Sequence, residues 1–110
     1  MANTFKLKTK ANVGVSTVGI YTATSPVTAT VVIGITLANT SGSGINVGIG
    51  VTRDTSDDVS ILKNVPIPQG SSLEVMQGNK LVLEANDTIT AKSDVNNSLD
   101  VSITVMEITP

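Results

Sequence analysis

Residues 28–40 read TATVVIGITLANT, residues 45–53 read INVGIGVTR and residues 98–108 read SLDVSITVMEI. In each, apolar side chains recur at every second position, the spacing that sends alternate residues of an extended chain to opposite faces. In the first run Val31, Ile33, Ile35 and Leu37 are expected to point one way, and Val32, Gly34, Thr36 and Ala38 the other. In the second, Val47, Ile49 and Val51 alternate with Asn46, Gly48, Gly50 and Thr52. In the third, Leu99, Val101, Ile103 and Val105 oppose Asp100, Ser102, Thr104 and Met106. The first two runs flank the turn residues NTSGSG and predict a hairpin or a sheet corner.

Residue usage agrees with this period. The chain has 15 Val, 10 Ile and 15 Thr against 7 Leu and 7 Ala, and β-branched side chains suit a pleated surface better than a helix. No segment longer than ten residues combines three-and-four apolar spacing with a capped start. Six shorter runs, at 5–8, 18–23, 59–64, 72–75, 80–84 and 88–92, bring the expected strands to nine. Turn signals separate them at 25–26, 54–58, 66–72, 77–80, 84–87 and 94–98. Turns every 8–12 residues or so are the mark of an all-β sandwich or barrel. The expected fold is a single antiparallel β-sandwich over residues 1–110, with the jelly roll as one topology open to it, about 8–9 short strands and little or no helix. Residues 1–10 are expected to form an arm or edge strand that pairs with a neighbouring subunit.

Phe5 and Tyr21 are the only aromatic residues, so the core must be built from short aliphatic side chains. Binding surfaces likewise lack the aromatic anchors and stacking platforms of many ligand sites. Four glycines in SGSGINVGIG (residues 41–50) raise the possibility of a phosphate-cradling loop. Such a loop needs a helix to begin where the strand ends, and none is expected here. Gly42 and Gly44 are therefore read as turn residues, at positions where positive φ is cheap. Gly48 and Gly50 share one face of a strand, a strip bare of side chains that another backbone can approach closely. That makes Gly48 and Gly50 interface candidates.

With neither His nor Cys, the chain lacks the commonest general base, the thiol nucleophile and the usual zinc ligands. Glu74, Glu84 and Glu107 fall on expected strands without evident partners, and no paired-carboxylate cleft is legible. No enzymatic activity and no cofactor are expected. Asp54, Asp57 and Asp58, in RDTSDD, are the weak metal candidates: three oxygen donors in one loop suit Ca²⁺, but not at the spacing of a calcium-binding loop. A net charge of −2 with a single arginine offers no field for a nucleic-acid backbone. The N-terminus lacks the apolar core of a signal peptide, and no run approaches the roughly 20 apolar residues of a membrane span. No nucleic acid, membrane or small-molecule partner is expected. Lys6, Lys8 and Lys10 alternate with Phe5, Leu7 and Thr9, so one face of this strand is charged. It serves either as protection against edge-to-edge aggregation or as a dock for an acidic neighbour. Phe5 and Leu7 join the interface candidates.

Several segments together carry a family resemblance: LANT closing one strand, KNVPIP and GSSLEV leading to KLVLE, an acidic turn at Asn86 and Asp87 before ITAKS, and a final DVSITVMEI. In this order they resemble the small β-sandwich structural proteins of tailed-bacteriophage virions, especially those of cyanophages. The resemblance spans nearly the whole chain. It implies a non-enzymatic virion component, a capsid decoration, neck or fibre-base module, that forms homo-oligomers and contacts other virion proteins. Its motifs mark turns and strand ends and carry no reactive residues. The alternative is a host-receptor or glycan-binding β-module, Ca²⁺-assisted through the Asp54, Asp57 and Asp58 loop.

Overall fold

The structure, a computed structural model, describes residues 2–76 and 80–110. It contains nine strands: β1 (Ala2–Val13), β2 (Val18–Thr22), β3 (Ala29–Asn39), β4 (Ile45–Thr52), β5 (Val59–Ile67), β6 (Ser72–Glu74), β7 (Leu81–Glu84), β8 (Thr88–Ser93) and β9 (Leu99–Thr109). There is no helix among the described residues. The expected strand positions hold, and β1 extends the run expected at 5–8 to 12 residues. The turn expected at 77–80 lies, apart from Lys80, outside the described residues.

The strands make two antiparallel sheets. One has the order β1-β9-β3-β6, with β7 also pairing β3, and the other has the order β2-β8-β4-β5. Five of the pairings nest along the chain: β1 with β9, β2 with β8, β3 with β6 and β7, and β4 with β5. That is one long hairpin folded about the β4–β5 turn. Rolling it up adds the cross-pairings β3·β9 and β4·β8, which gives the jelly-roll form of the β-sandwich. The NTSGSG segment is thus a corner between sheets, and the hairpin is β4–β5.

Between the sheets lie the short aliphatic side chains the sequence required. Val47, Ile49 and Val51 from β4 meet Leu99, Val101, Ile103 and Val105 from β9, all buried, together with Ile89, Leu83 and Ile67. Each contributes about 1.5–3 kcal/mol through the apolar surface it removes from water. In β3 the expected faces are only half right. Val32, Ile35 and Leu37 point inward, Val31 points outward, and Ile33 is 36% exposed. The cause is a bulge: Val32 stands opposite Val105 and Gly34 opposite Thr104, so Ile33 is an extra residue that reverses the alternation.

Glu74 compensates the bulge. Its carboxylate accepts hydrogen bonds from the Ile35 N–H at 3.2 Å, the Thr36 hydroxyl at 2.9 Å and the Met76 N–H at 3.3 Å. The Ile35 carbonyl accepts from the Val75 N–H at 2.8 Å. The bulge falls where β3 changes partner, from β7 along residues 29–32 to β6 along 36–38. The other strand glutamates also have partners: Glu84 pairs with Arg53, and Glu107 with Lys6. Arg53 Nε also lies 2.9 Å from the buried Asp87 carboxylate, which accepts the Glu84 N–H at 2.9 Å.

The glycines behave differently from one another. Neither Gly42 nor Gly44 has positive φ, so the turn does not use the left-handed freedom that glycine offers. Its shape comes from the buried Asn39 side chain, whose Nδ2 donates to the Ser43 and Ile67 carbonyls while its Oδ1 accepts from Ser41. Gly48 and Gly50 do floor a close approach. A Cβ at Gly48 would lie 3.3 Å from the Leu62 carbonyl oxygen, and one at Gly50 would lie 3.2 Å from the Val59 carbonyl oxygen. The backbone pressed against them belongs to β5 of the same chain, which carries two irregularities in its pairing with β4 here.

Two outcomes follow for stability. Gly50→Val must displace a backbone carbonyl and is expected to cost about 1–3 kcal/mol in urea denaturation, whereas Gly42→Ala, with open space around it, should change stability by less than about 0.5 kcal/mol. Glu74→Ala leaves the Ile35 N–H without its partner and should cost about 1–2 kcal/mol by the same measurement.

Candidate functional site

β1 is the edge of the five-stranded sheet and, among the described residues, pairs only with β9. Residues facing each other across an antiparallel ladder share a face of the sheet, so the register sorts the β1 side chains. Thr4, Lys6, Lys8 and Lys10 stand opposite Glu107, Val105, Ile103 and Val101 and take the inner face. Phe5 and Leu7 stand opposite Met106 and Thr104 and take the outer face. From Ala2 to Asn12 no β1 residue is buried. The strand thus offers neighbours an unpaired backbone edge and two accessible faces.

A polar network fixes the inner face. Lys6 Nζ lies 2.9 Å from Glu107 Oε1, and the Tyr21 hydroxyl donates to Glu107 Oε2 at 2.6 Å. The same hydroxyl is 2.8 Å from Thr30 Oγ1. Tyr21 belongs to β2 in one sheet, while Thr30 and Glu107 belong to β3 and β9 in the other, so the network ties the two sheets together beside the β1 edge. The Tyr21 hydrogen bond, helped by Lys6, holds the Glu107 carboxyl below the usual range against the opposing effect of burial. Burial, reinforced by Glu107, pushes the Tyr21 hydroxyl up to about 12. Tyr21 therefore stays a neutral donor to an ionised Glu107. A cleft of about 540 Å³ opens over this network, walled by Thr4, Lys6, Lys8 and the Thr24 to Val27 turn.

On the outer face the ladders align a row of apolar side chains. Phe5 faces Met106, Met106 faces Val31, and Val31 faces Val82. The row crosses β1, β9, β3 and β7, with Leu7 beside Phe5. Phe5 is 68% exposed, Leu7 65% and Val82 59%. In a chain with only two aromatic residues, leaving one in water at the end of such a row makes this face the candidate contact surface. The sequence candidates Phe5 and Leu7 lie on or beside this row, and Met106, Val31 and Val82 were not among the candidates. The available signal was that apolar residues occupy both faces of 31–33 and 81–83; joining them into one row needed the register.

The other candidates lie elsewhere. Gly48 and Gly50 sit on the outer face of the four-stranded sheet, flooring a groove of about 290 Å³ bordered by Lys63, Asn64, Lys92 and Asp94. Asp54, Asp57 and Asp58 occupy the exposed β4–β5 turn. Asp58 accepts the Arg53 N–H at 2.8 Å, the local bonding of a solvated turn. Among the described residues no set of three potential ligands converges on a metal position.

No protein-family model matches the chain, and no curated protein matches it in sequence. Solved structures do share its fold. A protein of Bacillus endospore appendages, described as a family of disulfide-linked pili, aligns with a TM-score of 0.59 at 13% identity, over 99% of this chain and 88% of that one. A chain of the acid-stable capsid of Helicobacter pylori bacteriophage KHP30 aligns with a TM-score of 0.54 at 10% identity, over 98% of this chain and 89% of that one. At such identities the likeness is one of fold: this jelly roll is shared with structural proteins of a pilus and of a phage capsid.

The Glu107 network predicts an acid-sensitive component of stability. Because its carboxyl is depressed in the folded state, the stabilisation is complete above the unfolded-state value of about 4.3 and disappears as pH falls through the lower folded-state value. Urea denaturation between pH 7 and pH 3 should show Glu107→Gln less stable than wild type at neutral pH, with the gap narrowing in acid. A gap independent of pH would contradict the assignment.

Proposed function

We propose that this chain is a non-enzymatic structural subunit of a tailed-phage virion, a capsid decoration, neck or fibre-base module, working through contacts between copies and with other virion proteins. The observation that carries the reading is the exposed apolar row ending on the doubly exposed β1 edge. A strand left open on two faces, with Phe5 and Leu7 outward, is a liability in an isolated subunit and an asset in an assembly. The fold shared with a phage capsid chain supports the same reading, as do the virion-protein motifs of the sequence. Each strand glutamate has a structural task in the fold, at the β3 bulge, the Arg53 pair or the Tyr21 network.

Light scattering and native mass spectrometry of the purified chain should detect homo-oligomers, and proteomics of purified particles should detect the chain in virions. Phe5→Thr combined with Leu7→Thr retains good strand formers while removing two apolar contacts. The double variant should keep its melting temperature within a few degrees and weaken self-association by about tenfold or more. A wild-type protein that is monomeric at every concentration and missing from particles would refute the proposal.

A further inference from the structure

The charge layout of the sandwich bears on how two copies meet. β1 carries Lys6, Lys8 and Lys10 and no acidic residue. Of these, Lys6 alone is ion-paired among the described residues. The lysines lie on the side of the sandwich where β1 packs over β2. The opposite edge of the four-stranded sheet is β5, and the turn leading into it holds Asp54, Asp57 and Asp58, all exposed. Arg53, the one base in that turn, is already engaged by Glu84 and Asp87. The three aspartates therefore have no ion-pair partner among the described residues. The β1 side presents unneutralised positive charge and the β4–β5 turn unneutralised negative charge, while Lys63 is the one charged residue of β5 itself.

We propose that a second copy of this chain docks head to tail, the lysine edge of β1 in one copy against the acidic β4–β5 turn of the next. This rests on the self-assembly reading above and specifies its polarity. A two-fold contact of β1 with β1 would bring two sets of three lysines onto adjacent strands roughly 4.8 Å apart with no acid between them, and like charges opposite one another on a sheet are destabilising. The head-to-tail contact joins opposite charges instead. Such contacts are heterologous, so repeating them yields a closed ring or an open filament.

Charge exchange tests the polarity. One variant carries Lys8→Glu and Lys10→Glu, the other Asp54→Lys and Asp57→Lys; Lys6 and Asp58 stay because they bond Glu107 and the Arg53 N–H. Thermal melting establishes that each variant is folded, and native mass spectrometry at low ionic strength reads assembly. Wild type is expected to oligomerise and to dissociate progressively as salt is raised. Each variant alone should associate at least roughly tenfold more weakly, and an equimolar mixture should recover oligomers containing both. Where a reversal prevents folding, the neutral pairs Lys8→Gln with Lys10→Gln and Asp54→Asn with Asp57→Asn replace it, each expected to weaken association several-fold. Two outcomes overturn the head-to-tail contact while leaving self-assembly standing: an Asp54 and Asp57 variant that assembles like wild type, or folded variants that stay apart when mixed. A monomeric wild type would instead remove the self-assembly reading itself.

Discussion

The fold depends on β9 lying between β1 and β3. The last strand of the chain pairs on one side with the first and on the other with the third, and this double pairing turns a long folded hairpin into a roll. Its inner row, Leu99, Val101, Ile103 and Val105, supplies the middle of the core, and at its end Glu107 binds Tyr21 across the sheets and Lys6 along the edge. With Tyr21 the only ring in the interior, the sheets are held by interdigitated aliphatic side chains and a few buried polar contacts. Cohesion is spread thinly, so each contact counts.

The same arrangement creates the exposed surface. Because β9 takes the inner position, β1 is left at the margin, tied by one ladder and by the Lys6–Glu107 contact. Its inner face overhangs a polar cleft and is lined with lysines, a device that discourages indiscriminate strand pairing. Its outer face continues the apolar row from Met106, Val31 and Val82. The strand is thus charged within and apolar without. That combination fits the proposed contact between copies through β1.

The extent to which this could be read from the sequence varied by element. β4 and β9 were fully legible, since a polar or glycine residue separates nearly every pair of apolar ones and fixes the phase. In β3 the stretch Val31, Val32, Ile33 has no polar marker, so nothing local reveals the bulge at Ile33; the structure resolves it through the β9 register and the Glu74 carboxylate. The 41–44 turn was located correctly, but its shape comes from the Asn39 side chain and owes nothing to left-handed glycines. Gly48 and Gly50 were recognised as a close approach, though the strand that approaches is β5 of the same chain. Phe5 and Leu7 were visible as candidates because they alternate with lysines. Their continuation across three more strands is a property of register, which pattern alone does not supply.

The central claim is that β1 is the surface through which copies of this chain meet. Hydrogen–deuterium exchange, compared between dilute protein and protein concentrated into its assembled form, tests it most directly. The account predicts slower exchange on assembly along β1, with the 53–58 turn slowing alongside it and the buried β9 amides unchanged. Exchange in β1 that stays the same while oligomers form would contradict it.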